Sequence, residues 1–176
     1  MQEEFIEGMV PVITATIAFG MGIDKSSVRF VAHWNLPRSV TNYYQESGRA
    51  GRDGRDSFAR IFYSAKDRDV QEGHLNKESK KKQSEEREER VSAQMDSLKL
   101  MIMYCESATC RHAVFSRFFG DSQPACGGKC DSCKNIGDVK ARLEEFKNKD
   151  ITVTISGKEN EAKQEFVDVI REKIFG

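Results

Sequence analysis

The chain has 176 residues, 38% of them hydrophobic, which allows one ordinary domain or two small ones. Charged residues make up 32%, but 28 basic side chains balance 28 acidic ones, so no bulk field would hold the chain on nucleic acid. The acidic opening MQEEFIEGMV does not read as a signal peptide, and no apolar run approaches the ~18 residues of a membrane span, so an intracellular protein with no membrane partner is expected.

From Met9 to Tyr63, short β-branched runs alternate with glycine-rich or polar segments. VPVITATIA reads as a buried strand, FGMGIDKSS as a loop, and VRFVAHWN as a second strand that takes in His33 and Trp34. SVTNYYQESGRA reads as a helix capped by Ser39 or Thr41, and SFARIFYS as a third strand. That rhythm predicts an α/β fold with a parallel sheet, whose functional loops gather at the carboxyl ends of the strands.

The stretch YYQESGRAGRDG, Tyr43 to Gly54, sets Arg49 and Arg52 three residues apart among three glycines. If the helix runs through Arg49, both arginines project to one side, and the glycines let a phosphate or another surface come close. A guanidinium stays charged and can hold two phosphate oxygens at once, which suits a polyphosphate clamp. A turn in which Glu46 and Asp53 neutralise the arginines fits the residue types equally well.

Beyond Tyr63 the texture changes. In NKESKKKQSEEREER, Asn76 to Arg90, eleven of fifteen residues are charged with both signs mixed. This reads as a solvated connecting helix or linker, with phosphate binding by Lys80, Lys81 and Lys82 as the alternative. A helical period returns with Val91, Met95, Leu98, Ile102 and Cys105 on one face, followed by a stripe of Val114, Phe115, Phe118 and Phe119. The two stripes predict a helical hairpin that buries its own faces.

Cys110, Cys126, Cys130 and Cys133 follow with fifteen, three and two residues between them. Five cysteines in a reducing compartment argue against disulfides, whereas four thiolates at these spacings can close a tetrahedral Zn²⁺ shell around a turn at Gly127 and Gly128. A reversible redox cluster is the alternative. Cys105 reads as a core residue, and His112 stays outside a shell that four sulfurs already fill.

ATIAFGMGIDK and VRFVAHWNLPRSVTNYYQESGRAGRDG resemble motifs V and VI of the RecQ family of DNA helicases, and the cysteine cluster sits where that family carries its zinc module. The likeness runs from Gln2 to Cys133 and is strongest to the metazoan subgroup that lacks a winged-helix domain. It implies the carboxyl-terminal part of a RecA-like parallel-sheet domain (1–66), a helical hairpin with a zinc module (67–135), and a helical tail (136–176). In the resembled subgroup a helix after the zinc module packs back on the core, a role open to Val139–Lys149.

The resemblance also implies residue roles. Arg52 would be the arginine finger on the ATP γ-phosphate, assisted by Arg49 and ordered by Gln45. Asp24 would reach the ribose, Thr16 would contact a DNA phosphate, and Gly20 and Gly22 would keep that loop near nucleotide and DNA. Trp34, if exposed, could stack on a base. The implied activity is ATP- and Mg²⁺-dependent 3′ to 5′ DNA unwinding in the nucleus, in repair and recombination.

The sequence holds no GK[ST] phosphate loop: its two Gly-Lys pairs are Gly128-Lys129, within the cysteine cluster, and Gly157-Lys158, followed by Glu159. The chain alone is therefore expected to be inactive, with its ATP site completed by an amino-terminal helicase half. A non-catalytic zinc-dependent module that binds DNA or protein is the second expectation. VKARLEEFKNK and AKQEFVDVIREKIF read as amphipathic helices flanking a short strand, ITVTIS.

Overall fold

A computed structural model describes residues 2–17, 24–81, 84–122 and 126–152. Its elements in chain order are α1 (Gln2–Glu7), β1 (Phe30–His33), α2 (Val40–Ser47), β2 (Phe58–Ile61), α3 (Ala65–Ser79), α4 (Glu85–Glu106), α5 (Arg111–Phe119), α6 (Asp131–Lys134) and α7 (Ile136–Thr152). The described residues form two compact units, one of residues 2–32 and 46–62, the other of residues 33–45 and 63–152.

In the first unit, β1 and β2 pair as a two-stranded parallel sheet, the α/β signature expected from the alternating runs. The Phe58 N–H donates to the Arg29 carbonyl at 3.1 Å, and the Phe30 and Phe58 rings stack with centroids 5.6 Å apart. Cross-strand aromatic pairing of this kind fixes register, because a one-residue slip would send one ring to the opposite face. At α1, Phe5 is buried, with the Lys25 ammonium 5.4 Å from its ring centroid and donating to the Ile6 carbonyl.

The strand expected in VPVITATIA does not form among the described residues: Pro11 to Thr16 are irregular, and Thr14, Ala15, Thr16 and Ile17 are exposed. β-branched residues favour a strand only where a neighbouring strand satisfies the backbone and buries the side chains. No described strand pairs with this segment.

The second unit is built around α4. Ser39 caps α2 by accepting the Asn42 N–H at 3.1 Å, and Ser64 caps α3 by accepting the Asp67 N–H at 3.1 Å. The helical hairpin is α3 against α4, so the charged segment forms the end of one helix, the connection, and the exposed start of the next. The stripes of α4 and α5, expected to form a hairpin, meet at Tyr104 and Phe115.

The buried face of α4 carries Val91, Leu98, Met101 and Tyr104. Leu98 and Met101 are fully enclosed, and each such side chain contributes roughly 1.5–3 kcal/mol by leaving water. Met101 and Tyr104 displace the expected Met95, Ile102 and Cys105 from the centre of that face, because an aromatic cluster draws the helix round. The Tyr104 ring lies 5.5 Å from Tyr43 and 5.4 Å from Phe115. On α5 the buried residues are Ala113, Val114 and Ser116, while Phe118 and Phe119 remain exposed.

Tyr63 donates its hydroxyl proton to Glu106 at 2.5 Å, and Arg68 pairs with the same carboxylate oxygen at 3.0 Å, which closes the carboxyl end of α4. Val139 of α7 is buried, and the Phe146 ring lies 5.2 Å from Tyr63, so this helix packs back within its unit. Helix α7 continues through Ile151 and Thr152, the first residues of the expected ITVTIS strand. The remainder of that strand and AKQEFVDVIREKIF lie outside the described residues.

Candidate functional site

Two stretches are candidates for the functional site, one in each unit. In the second unit, Cys110 precedes α5 as its cap, and Cys130 caps α6 by accepting the Cys133 N–H at 3.4 Å. Between them Gly127 and Gly128 adopt φ of 60° and 73°, left-handed values that let the chain reverse within the three-residue spacer. The Cys110 and Cys130 sulfurs are 3.9 Å apart. Two ligands ~2.3 Å from a tetrahedral zinc lie about 3.8 Å from each other, so this edge fits the ion.

The ligand atoms of Cys110, His112, Cys126 and Cys130 all lie within 4.8 Å of one another. Cys133 joins the same cluster: its thiol is pushed up to about 12 by hydrogen bonds to Cys110 and Cys130, then by burial and by Cys126. Cys130 is buried, Cys110 and Cys126 are half-buried, and Cys133 is exposed. The four mutually close donors thus include His112, and Cys133 bonds to the cysteines of that set, where the spacing alone pointed to four sulfurs. Zn²⁺ in a closed four-ligand shell leaves no position for water, so it supplies folding energy and no hydrolysis.

Arg111 braces this arrangement. Its guanidinium grips both oxygens of Asp131, at 2.9 and 3.0 Å, and donates to the carbonyls of Ser107, at 3.0 Å, and Tyr104. Its cation also lies 5.2 Å from the Tyr104 ring centroid. One side chain thus ties the residue after Cys110 to the residue after Cys130 and to the end of α4. Burial opposes charge on both partners, yet their mutual bonds prevail: Asp131 titrates below the ordinary carboxylate range and Arg111 above its own. Sequence reading passed over Arg111 and Asp131, whose only signal is that each directly follows a cysteine.

Cys105 stands apart from the cluster. Burial pushes its thiol up to about 12, as expected for a core cysteine.

In the first unit, helix α2 ends at Ser47, so Arg49 and Arg52 occupy the turns that follow it and do not share a helical face. Gly51 holds this turn: its φ is 72°, its N–H donates to the Val28 carbonyl at 2.9 Å, and an added Cβ would lie 2.4 Å from the Ser57 hydroxyl. Any side chain there would displace the neighbouring loop. The Arg52 guanidinium meets the Asp24 carboxylate at 2.7 Å, with side-chain exposures of 37% and 89%. An ion pair this exposed contributes about 0–1 kcal/mol.

Asp53 is engaged elsewhere. It pairs with Arg29 at 2.6 Å and accepts the Arg55 N–H at 3.1 Å, and those bonds, led by Arg29, hold its carboxyl below the usual range. Arg49 is half-buried in the turn, Gln45 is exposed in the last turn of α2, and Thr16 is exposed. Gly20 and Gly22 lie outside the described residues. His33 meets Tyr43 edge to face at 5.1 Å, and Trp34 is 40% exposed.

Comparison with known proteins falls on both stretches. A family model described as RecQ zinc-binding matches residues 65–134, and one described as helicase conserved C-terminal domain matches residues 1–54. ATP-dependent DNA helicase Q5 of Mus musculus is 47% identical over 146 residues, which cover 82% of this chain and 15% of that protein. ATP-dependent DNA helicase RecQ of Bacillus subtilis is 38% identical over 132 residues, covering 75% of this chain and 21% of that protein. ATP-dependent DNA helicase hus2/rqh1 of Schizosaccharomyces pombe is 37% identical over 164 residues, covering 90% and 12%. The chain thus spans between 12% and 21% of the length of these relatives.

Proposed function

Since the chain belongs to the RecQ family of DNA helicases, we propose that it acts as the carboxyl-terminal portion of an ATP-dependent enzyme that unwinds DNA in the 3′ to 5′ direction. The observation that carries this reading is the contact of Arg52 with Asp24. It joins the two glycine-bordered segments whose family roles both concern the nucleotide.

In the proposal Arg52 leaves Asp24 for the ATP γ-phosphate, where a finger of this kind is worth ~10³–10⁵ in rate, roughly 4–7 kcal/mol. Asp24, released, accepts from the ribose hydroxyls. Arg49 adds charge beside the finger, Gln45 orders the motif, Gly22 keeps the preceding loop close to the nucleotide, and Thr16 holds a DNA phosphate without reading sequence. The phosphate loop and the acidic Mg²⁺-binding group come from an amino-terminal helicase half. Zn²⁺ on Cys110, Cys126, Cys130 and Cys133 secures the fold. The domain division 1–66, 67–135 and 136–176 and a nuclear role in repair and recombination, as in the metazoan subgroup, complete the reading.

The test is DNA-stimulated ATP hydrolysis, measured on the 176-residue chain and on a longer polypeptide that joins it to a phosphate-loop domain. The longer protein should turn over ATP and lose at least about 10³-fold in kcat on Arg52→Ala, while the chain alone stays inactive. Robust turnover by the chain alone, itself abolished by Arg52→Ala, would overturn the division of the site.

A second reading is favoured by the self-contained packing of the cysteine cluster, Arg111 and Asp131: a non-catalytic zinc-dependent module that binds DNA or protein. It requires that the zinc-loaded chain bind single-stranded DNA with a marked salt dependence and that no longer form turn over ATP.

A further inference from the structure

The cluster holds one donor more than a tetrahedral ion can use. Cys110, Cys126 and Cys130 belong both to the set that includes His112 and to the sulfurs that bond Cys133. The two remaining donors differ in character. Cys133 is an exposed thiol in the one-turn helix α6, and His112 is an exposed imidazole in the first turn of α5, two residues beyond Cys110. Zinc accepts three thiolates and one imidazole as readily as four thiolates, with a metal–nitrogen bond of ~2.0–2.1 Å against ~2.3 Å to sulfur.

Resting on the structural-zinc reading above, we propose that His112 is a reserve ligand: Cys110, Cys126 and Cys130 hold the zinc permanently, and the fourth position is filled by Cys133 or, when that thiolate is lost, by His112. The arrangement places the replaceable ligand at the surface. An alkylating or oxidising agent meets Cys133 first, and the imidazole then closes the shell before water can enter it. The helix α5 that presents His112 is tied to α6 by the Arg111 bridge to Asp131, and the His112 ligand atom already lies within 4.8 Å of the three sulfurs.

Co²⁺ and Zn²⁺ binding to the 176-residue chain would test this, using Cys133→Ala, His112→Ala and the double variant, with circular dichroism to confirm folding. Cys133→Ala is expected to keep one tetrahedral Co²⁺ with roughly three quarters of the thiolate charge-transfer absorbance, since three of four thiolates remain. The double variant should bind at least about tenfold more weakly than Cys133→Ala. Equal affinity of the two would overturn the proposal.

Should Cys133→Ala fail to fold, limited alkylation of the zinc-loaded chain by N-ethylmaleimide decides the matter. Mass spectrometry counts adducts while a chromogenic chelator reports free zinc. The first adduct, on Cys133, should leave zinc bound in the unsubstituted chain and release it in His112→Ala. Zinc release with the first adduct in both chains would sink the reserve role. An unsubstituted chain that binds no zinc would overturn the metal reading itself.

Discussion

The cysteine module and the arginine turn are both short glycine-bordered segments crowded with reactive side chains, yet they are built in opposite ways. Around the metal site Arg111, 14% exposed, locks the two ligand-bearing turns through a two-pronged bond to Asp131. Around Arg52 the corresponding bond goes to a carboxylate that is 89% exposed. A site that must hold an ion permanently gains from being finished before the ion arrives. A site proposed to change partners during a reaction would gain from an exposed ion pair such as this one.

The largest effect expected from this contrast comes from removing the metal. Chelation, or Cys130→Ser, should withdraw ~10–16 kcal/mol of apparent binding energy that doubles as folding energy, and so melt the module. Hydrogen exchange would show where: amides of Arg111–Phe119 and Asp131–Lys134 should lose protection. The amides of Gly51 and Phe58, bonded to Val28 and Arg29 in the first unit, should keep theirs. Equal loss in both units would show that they fold as one and would erase the contrast.

Next in size is Arg111→Ala, which strands the Asp131 carboxylate and two carbonyls and should cost about 3 kcal/mol, read as a lower urea midpoint of the zinc-loaded chain. Arg111→Lys should recover only part of this, because an ammonium cannot span both oxygens of Asp131.

A smaller effect, dependent on pH, is expected at Cys105. Its thiol titrates near pH 12 in the folded chain against about 9 in the unfolded one. Its contribution is therefore complete below pH 9 and is lost as the pH rises from 9 toward 12. At pH 10 the loss should be about 1.4 kcal/mol, and Cys105→Ala should show a correspondingly flatter alkaline stability profile. An unchanged profile would mean that the thiol is as solvated as in the unfolded chain.

The sequence was most legible where chemistry is local. The fifteen, three and two residue spacings pointed to a cysteine cluster, and the structure brings Cys110, Cys126 and Cys130 together with His112. Strands β1 and β2 and the Ser39 cap were legible from β-branching and a hydroxyl at a helix start. What depends on packing partners was not. VPVITATIA has the composition of a strand but no described strand beside it. The face of α4 shifts toward Tyr104 because Tyr43 and Phe115, distant in sequence, meet it there. His112 was passed over because counting sulfurs satisfies the coordination number before geometry is consulted. The Arg52 contact with Asp24 spans 28 residues and leaves no trace in the spacing of either motif.

The smallest expected change in stability tests that last contact. Arg52→Ala removes an ion pair with one partner almost wholly in solvent, so the thermal midpoint of the chain should shift by an amount equivalent to no more than about 1 kcal/mol. Asp24→Asn should do the same, and the two changes should not add, because either one removes the whole interaction. A cost for Arg52→Ala as large as that of Arg111→Ala would make it a structural cross-link of the turn, and a residue so committed could not move to a phosphate without loosening the fold. A near-silent substitution in stability that costs a thousandfold or more in ATP turnover of the longer protein would instead assign the side chain to the reaction.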